Sequence, residues 1–215
     1  MELLFLFYVL YVITSLALGL LDQEFVDLSH DYFQVSARSG VPAMHAALLP
    51  PSGMVVFLDK VENYSELRLP NQRLAYSSLY DPQIRNVSPL AVTTNPFCCG
   101  GTFLADGRLV TLGGNAPLPE LDPTVGDGFD AIRYIGMENG DYTWEEPGNK
   151  LASKRWYASA QTMADGTIFV AAGSLNGLDV LNSSNNNPTY EILDVNGLSN
   201  GRNFRMDILV ENMPY

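Results

Sequence analysis

The sequence is short of positive charge. Only 12 Lys and Arg residues stand against 24 Asp and Glu residues, so the formal net charge is −12 at pH 7. Phosphate backbones are bound by clustered positive charge, and a chain this acidic therefore excludes nucleic acid as a partner. The acidic balance is instead typical of a soluble extracellular surface.

Charged residues of either sign are also few, and several catalytic motifs are missing. Charged residues make up 17% of the chain and hydrophobic residues 47%, a composition that excludes a disordered protein. No P-loop, serine nucleophile elbow or His-Glu zinc motif occurs, so hydrolase functions have no support. The 18 glycines and 13 prolines indicate frequent turns rather than long helices. This glycine and proline content predicts an all-β fold.

A long apolar run covers residues 3–21 and precedes the first charged stretch. Ala17 and Gly19 are small residues at alternating positions, which predicts cleavage of a signal peptide, residues 1–19, just before Leu20. The alternative is an uncleaved signal anchor, since about 20 apolar residues can span a bilayer. We therefore expect a secreted, extracellular protein, with membrane anchoring of the extracellular domain only if the segment stays uncleaved.

Export gives a meaning to three short triplets. Asn63, Asn86 and Asn182 each begin an Asn-X-Ser sequon, whereas Asn187 is followed by a proline that blocks modification. The three sequons predict N-glycosylation of an extracellular surface, although short triplets also arise by chance.

One pattern occurs three times: an apolar run, a turn whose second residue is glycine, and another apolar run. The copies cover residues 44–60, 98–115 and 157–174. Asp106-Gly107 and Asp165-Gly166 predict hairpins with a two-residue type I′ turn, and Ser52-Gly53 is a weaker copy. The turns recur at intervals of 54 and 59 residues, which is the spacing of a four-stranded propeller blade of the kelch kind.

Between the hairpins, residues 75–91 and 131–147 each read as a strand, a polar turn and another strand, which fits the outer strands of a blade. After the signal, about 195 residues at about 55 per blade make three to four blades. We therefore predict a kelch-type β-propeller over residues 20–215, here an incomplete arc of about three to four blades. A generic sandwich of hairpins with accidental spacing is the alternative.

The hairpin register brings two side chains into correspondence. Cys98 and Tyr157 each lie eight residues before their own turn, as does Met44 in the first copy. Because side chains alternate along a strand, equal offsets in successive blades place Cys98 and Tyr157 on the same side of adjacent strands. Cys99 has the opposite parity, and we expect it to point away from Tyr157.

These residues carry a family resemblance. The stretch from Asn95 to Gly101, the hairpin that follows it, Gly113-Gly114-Asn115 and the run from Lys154 to Tyr157 resemble the N-terminal propeller region of the glyoxal oxidase and galactose oxidase family of copper radical oxidases. Residues 39–60 are similar to the start of the glyoxal oxidase branch. The resemblance covers nearly all of the chain after the signal.

The resemblance implies a thioether bond between Cys98 and the ring of Tyr157, with Tyr157 also a copper ligand and Trp156 shielding the site. The sulfur eases one-electron oxidation of the phenol, and copper supplies the second electron. The implied reaction converts a small aldehyde to a carboxylic acid while O₂ is reduced to H₂O₂. A primary alcohol is the alternative substrate.

The family's copper also needs a second tyrosine and two histidines, which come from later blades. The chain has only His30 and His45, and neither follows a tyrosine. His45 lies in the first hairpin strand, where we expect a satisfied structural histidine rather than a ligand. We therefore expect an incomplete chain that is inactive alone. A non-catalytic secreted or cell-surface propeller that binds a partner is the alternative function.

Cys99 stands where the family usually has a small residue. Two interpretations stay open for it: a vicinal disulfide with Cys98, or an inert buried thiol.

Overall fold

The computed structural model describes residues 35–138, 141–177, 179 and 181–212. The predicted signal peptide, residues 1–19, lies outside the described residues, as does His30. Within the described part, no helix is long and apolar enough to cross a membrane. The domain that holds the described strands begins at Ala37.

The described strands form three four-stranded antiparallel sheets, each made from consecutive strands. Blade 1 comprises β1 (His45–Leu49), β2 (Met54–Leu58), β3 (Ser77–Asp81) and β4 (Asn86–Leu90). Blade 2 comprises β5 (Gly100–Phe103), β6 (Leu109–Leu112), β7 (Ile132–Glu138) and β8 (Asp141–Glu145). Blade 3 comprises β9 (Ser159–Thr162), β10 (Ile168–Ala171), β11 (Thr189–Leu193) and β12 (Phe204–Arg205).

Among the residues that the structure describes, helical structure is limited to two short pieces in blade 3. A single 3₁₀ turn covers Ser183–Asn185, and the helix α1 covers Asp207–Glu211. The fold is therefore all-β, and its three blades form an incomplete propeller arc, as the repeat spacing predicts.

The hairpins at Gly107 and Gly166 are confirmed, but the predicted type I′ turn is wrong. The Leu104 amide donates to the Arg108 carbonyl at 2.8 Å, which leaves three loop residues, and only the glycine has a positive φ, of 90°. This geometry is a type I turn followed by a left-handed glycine. Asp106 prefers it because its Oδ1 accepts the Arg108 amide at 3.0 Å.

The hydrophobic core lies between the blades. Leu109 and Ile135 of blade 2 pack against blade 1, whereas Val110 and Tyr134, their neighbours along the same strands, pack against blade 3. Alternate side chains of the middle blade thus fill two different spaces, as period-two strands require. We call the space between blades 1 and 2 the first gap and the space between blades 2 and 3 the second gap.

Candidate functional site

Cys98 and Tyr157 meet in the second gap, just before the first strands of blades 2 and 3. Each lies two residues before its strand, β5 and β9, and the Tyr157 amide donates to the Cys98 carbonyl at 2.8 Å. The predicted juxtaposition is confirmed, although both residues precede their strands rather than lie within them. Met44 lies only one residue before β1, because the first hairpin loop has four residues instead of three.

Both residues adopt a left-handed backbone. Cys98 has a φ of 54° and Tyr157 a φ of 63°, values that side chains with a Cβ atom rarely adopt. Each such residue costs of order 1–3 kcal/mol, and non-glycine residues hold this conformation when the surrounding structure enforces it. Their occurrence at corresponding positions of adjacent blades indicates that the backbone is shaped to bring these two side chains together.

The two side chains differ in exposure. Cys98 is buried, with 2% of its surface accessible, whereas Tyr157 is 52% exposed. Burial raises the pKa of the Cys98 thiol, and a hydrogen bond with the Tyr157 side chain partly offsets that rise. The site thus combines a protonated, buried sulfur with a phenol that solvent, a metal or a substrate can reach.

Trp156 forms an aromatic wall beside the tyrosine. Its ring lies 4.5 Å from the Tyr157 ring, centroid to centroid, in an edge-to-face arrangement. The centroid of the Phe97 ring lies 5.7 Å from that of Trp156. Cys98, Phe129 and Trp156 share one buried cluster. The side chain predicted to shield the site therefore lies against the tyrosine ring and is 3% exposed.

Two glycines let the blades approach closely at this site. A Cβ atom at Gly100 would lie 2.4 Å from the Ala158 carbonyl oxygen, and one at Gly113 would lie 2.1 Å from the Arg155 carbonyl oxygen. Gly114 continues this contact by donating its amide to the Arg155 carbonyl at 3.1 Å. The glycines after Cys99 and after β6 are therefore needed for backbone contact across the second gap.

Arg155 was not predicted to have a structural role. Its guanidinium is fully buried, lies 3.3 Å from the equally buried Glu191 and donates to the carbonyls of Ala172 and Thr189 at 2.8 and 2.9 Å. These contacts fix the backbone immediately before Trp156 and Tyr157. The sequence places Arg155 next to the tyrosine, but nothing in it shows that Glu191, 36 residues later, is the partner.

A cluster of charged residues at the end of β2 was also not predicted. The Lys60 ammonium lies 5.4 Å from the centre of the Phe97 ring and 3.2 Å from a Glu62 oxygen. The neighbouring Asp59 is 1% exposed, and burial raises its pKa to about 7. Thirty-seven residues separate Lys60 from Phe97, so no local pattern indicates this contact.

Cys99 points the other way, as its parity predicts. It packs in a cluster with Leu58 and Tyr76 of the blade 1 side, and both cysteines are free, buried thiols in the structure. His45 is not the satisfied histidine that we expected, because its Nε2 atom is buried with no hydrogen-bond partner among the described residues.

Tyr157 is the phenol available to a metal at this site, but a full ligand set is not present around it. Across the part of the chain that the structure describes, no group of three or more His, Cys, Asp and Glu residues is placed to hold a metal ion. Copper at this site therefore requires ligands besides the residues that the structure places here.

The sequence matches a known family over most of its length. The family model for the glyoxal oxidase N-terminus matches residues 44–210. The chain belongs to this glyoxal oxidase family. The match includes all three blades together with Cys98, Trp156 and Tyr157.

Individual relatives agree with this family. Aldehyde oxidase GLOX1 of Arabidopsis thaliana is 32% identical over 168 residues, which is 70% of this chain and 25% of the relative. Aldehyde oxidase GLOX of Vitis pseudoreticulata is 28% identical over 68% of this chain and 29% of its own length. A galactose oxidase of Gibberella zeae is 30% identical over 64% of this chain and 18% of its own length. The chain thus spans less than a third of the length of these relatives.

A solved structure supports the fold. A fungal alcohol oxidase of the AA5 family, in complex with copper, superposes with a TM-score of 0.52 at 22% identity. The superposition covers 74% of this chain and 29% of the fungal protein. The arc of blades is therefore similar to part of the fold of a copper-containing oxidase.

Proposed function

We propose that this chain supplies the tyrosine and cysteine of a copper radical oxidase that converts a small aldehyde to a carboxylic acid. In the overall reaction, aldehyde, water and O₂ yield carboxylic acid and H₂O₂. The observation that carries the proposal is the meeting of Cys98 and Tyr157, each with a left-handed backbone and joined by a 2.8 Å hydrogen bond between the blades. A structural role alone does not require a half-exposed phenol beside a buried thiol.

The residues divide the work as follows. Tyr157 offers its exposed phenol as a copper ligand and as the group that loses one electron. Cys98 forms the thioether that eases this oxidation: the S–H bond of Cys98 and one ring C–H bond of Tyr157 are replaced by a C–S bond, and O₂ accepts the two hydrogens. Bound copper would supply the second redox equivalent. Trp156, edge-on to the tyrosine at 4.5 Å, shields the oxidised ring from solvent. The other copper ligands come from outside the described residues.

An aldehyde is proposed as the substrate ahead of a primary alcohol. The two relatives with the higher coverage of this chain, 70% and 68%, are named aldehyde oxidases, whereas the galactose oxidase covers 64%. The preference comes from these names, because the site geometry at Tyr157 suits either reaction.

We also propose that the protein is secreted and glycosylated. The apolar residues 3–21 suit a signal, and Asn63, Asn86 and Asn182 are all exposed. Exposure is a requirement for a used sequon. Asn182 has a further role, because its side-chain oxygen accepts the Ser184 amide at 3.1 Å and so caps the 3₁₀ turn.

The second candidate function is a propeller that keeps the fold and binds a partner without copper chemistry. It is favoured by the missing ligand set among the described residues. Any coding sequence downstream of Tyr215 separates the two functions, since a Tyr-His pair and a later histidine are required by the oxidase and not by the binding protein.

The activity is tested in a chimera. Residues 44–210 replace the matched region of Arabidopsis aldehyde oxidase GLOX1, which supplies the rest of the protein, and peroxide formation from small aldehydes is measured after copper loading. Activity is expected together with a loss of two hydrogen atoms by mass that thiols do not reverse, because a thioether resists reduction and a disulfide does not.

Variants in the chimera identify the residues responsible. Cys98→Ser and Tyr157→Phe abolish the irreversible mass loss, whereas Cys99→Ser leaves it intact because that side chain faces the first gap. A folded, copper-loaded chimera without the mass loss contradicts the proposal. The 215-residue chain alone is expected to produce no peroxide, and it serves as the negative control.

A further inference from the structure

A cavity of about 390 Å³ opens into the first gap, and its lining extends from His45 and Cys99, at the strand ends nearest Tyr157, to Phe103 and Leu109 at the other ends. Its walls come from the inner strands of blades 1 and 2, with Ala160 and Gln161 of blade 3 at one side. Most of its lining is apolar, and the groups in it that can bind a ligand strongly are His45, Cys99 and Thr111. None of these three has a role in the oxidase site in the second gap.

Strand parity directs the three side chains into this cavity. His45 shares its parity with Ala47 and Leu49, which pack toward blade 2, and Thr111 shares its parity with Leu109, which packs toward blade 1. Cys99 faces blade 1, opposite to its neighbour Cys98. All three lie at the strand ends nearest the oxidase site, at the start of β1, before β5 and near the end of β6.

The cavity contains a buried polar atom that lacks a partner. His45 Nε2 is buried and has no hydrogen-bond partner in the described part of the chain. Thr111 is 4% exposed and lies beside Cys99, where its hydroxyl partly offsets the rise in the thiol pKa. A buried polar atom without a partner costs about 1–3 kcal/mol, so a ligand that binds His45 Nε2 would recover free energy.

The chemistry of the donors selects one kind of ligand. Histidine coordinates a metal through an unprotonated ring nitrogen, and His45 Nε2 is a buried nitrogen without a partner in the described residues. A thiol and an imidazole are ligands that suit soft metal ions such as Cu(I). Two donors also suffice for Cu(I), which accepts linear coordination, whereas Zn²⁺ is almost always held by four ligands.

Charge favours the monovalent ion as well. Arg133 is fully buried and lies 3.8 Å from Glu146, and its positive charge also acts on His45 and Cys99. When Cu(I) binds, the Cys99 thiol releases a proton, and the thiolate and Cu⁺ cancel. A divalent ion would leave a net positive charge in this desolvated space, which is costly.

We propose that His45 and Cys99 form a two-coordinate Cu(I) site in the first gap, separate from the Cys98–Tyr157 pair. The Cys99 sulfur forms one bond and His45 Nε2 the other, with one proton released to solvent and no change in the oxidation state of the metal. Thr111 lies beside the pair as a polar neighbour. The site does not depend on the oxidase function, because its two ligands face the opposite gap.

The test titrates the reduced 215-residue chain with Cu(I), without oxygen, against a chromophoric Cu(I) chelator. The wild-type chain is expected to withdraw one tight equivalent from the chelator. His45→Gln and Cys99→Ser each lose this equivalent. Cys98→Ser is the matched control for the neighbouring thiol and His30→Gln for the other imidazole, and both keep it.

X-ray absorption of the bound copper gives a second measurement. A shell of one sulfur and one imidazole nitrogen is expected in the wild type and in Cys98→Ser. Near-ultraviolet circular dichroism shows whether Cys99→Ser folds. If it does not, the single variants His45→Gln and Cys99→Ala are used to test whether the two residues hold the copper. Retention of the tight equivalent in His45→Gln and in a folded Cys99 variant, or its loss in Cys98→Ser, would overturn the proposal.

Discussion

The two gaps between the blades are filled in different ways. In the second gap, backbone meets backbone: the Tyr157 amide reaches the Cys98 carbonyl at 2.8 Å, and the Gly114 amide reaches the Arg155 carbonyl at 3.1 Å. In the first gap, a cavity of about 390 Å³ remains, and His45 Nε2 has no partner in the described region.

The difference explains how adjacent cysteines acquire different chemistry. Cys98 faces the second gap, which is closed by backbone contacts, and it contacts Tyr157. Cys99 faces the first gap, which holds the open cavity, and burial raises the pKa of its thiol to about 11. One residue of separation is enough, because Cys98, with its left-handed backbone, packs with Phe129 and Trp156, whereas Cys99 packs with Leu58 and Tyr76. Blade 2, which packs against a blade on each side, therefore places the neighbouring Cys98 and Cys99 in separate gaps.

The largest change in stability is expected from the buried ion pair beside the second gap. Arg155→Met leaves Glu191 buried without its cation, and we expect a loss of about 3–5 kcal/mol in the free energy of unfolding. Urea denaturation measures it. The double variant with Glu191→Gln keeps the acceptor for the Ala152 amide and removes the charge, so it recovers part of the loss. A single variant within about 1 kcal/mol of the wild type would show that this pair does not hold the site.

Alanine substitutions at the neighbouring Gly100 and Gly101 test how tightly each gap is packed. Gly100→Ala drives a methyl group to 2.4 Å from the Ala158 carbonyl in the closed gap, and we expect about 3 kcal/mol of destabilisation. Gly101→Ala places its methyl 3.2 Å from the Val110 carbonyl, on the side of the cavity, and we expect a change within about 1 kcal/mol. Thermal and urea unfolding of the pair measure the difference. Equal losses would contradict the contrast between a closed and an open gap.

His45, in the first gap, is expected to make the stability of the fold depend on pH. The pKa of His45 is lowered by burial and by Arg133, so the folded chain binds this proton less readily than the unfolded chain. Stability from the neutral imidazole is present above the ordinary pKa of 6.5 and is lost as the pH falls below it. His45→Gln should remove this component, measured as a smaller difference in unfolding free energy between about pH 7.5 and about pH 5. An unchanged difference would show that His45 is accessible to protons in the folded state.

The smallest effect concerns the position after the second strand of each hairpin. Gly113 in blade 2 and Ala172 in blade 3 correspond, and both have positive φ, 77° and 60°. Ala172→Gly should therefore stabilise the protein by about 0.5–1 kcal/mol, because glycine adopts this conformation without strain. Ala171→Gly, one residue earlier and within β10, is the control and should destabilise. Destabilisation by both would mean that the Ala172 methyl contributes packing that outweighs its strain.

Much of the fold could be predicted from local pattern. Apolar runs on either side of Asp106-Gly107 and Asp165-Gly166 establish the hairpins, and their spacing establishes the blades. The turn type could not be predicted in the same way. A dipeptide tolerates several loop lengths, and the length that forms depends on how the paired strands close, which is why the loops have three residues instead of two.

The sequence by itself determined the strands, their order in hairpins and the correspondence of Cys98 with Tyr157, because apolar alternation and the positions of turn residues are local properties of the chain. Only the tertiary structure decided that both residues take a left-handed backbone, that Glu191 neutralises Arg155 and that Cys99 shares a cavity with His45. These features join residues 36 to 59 positions apart, and such contacts depend on how whole blades pack. Packing between blades is a property of shape and volume in three dimensions, which no periodicity along the chain records.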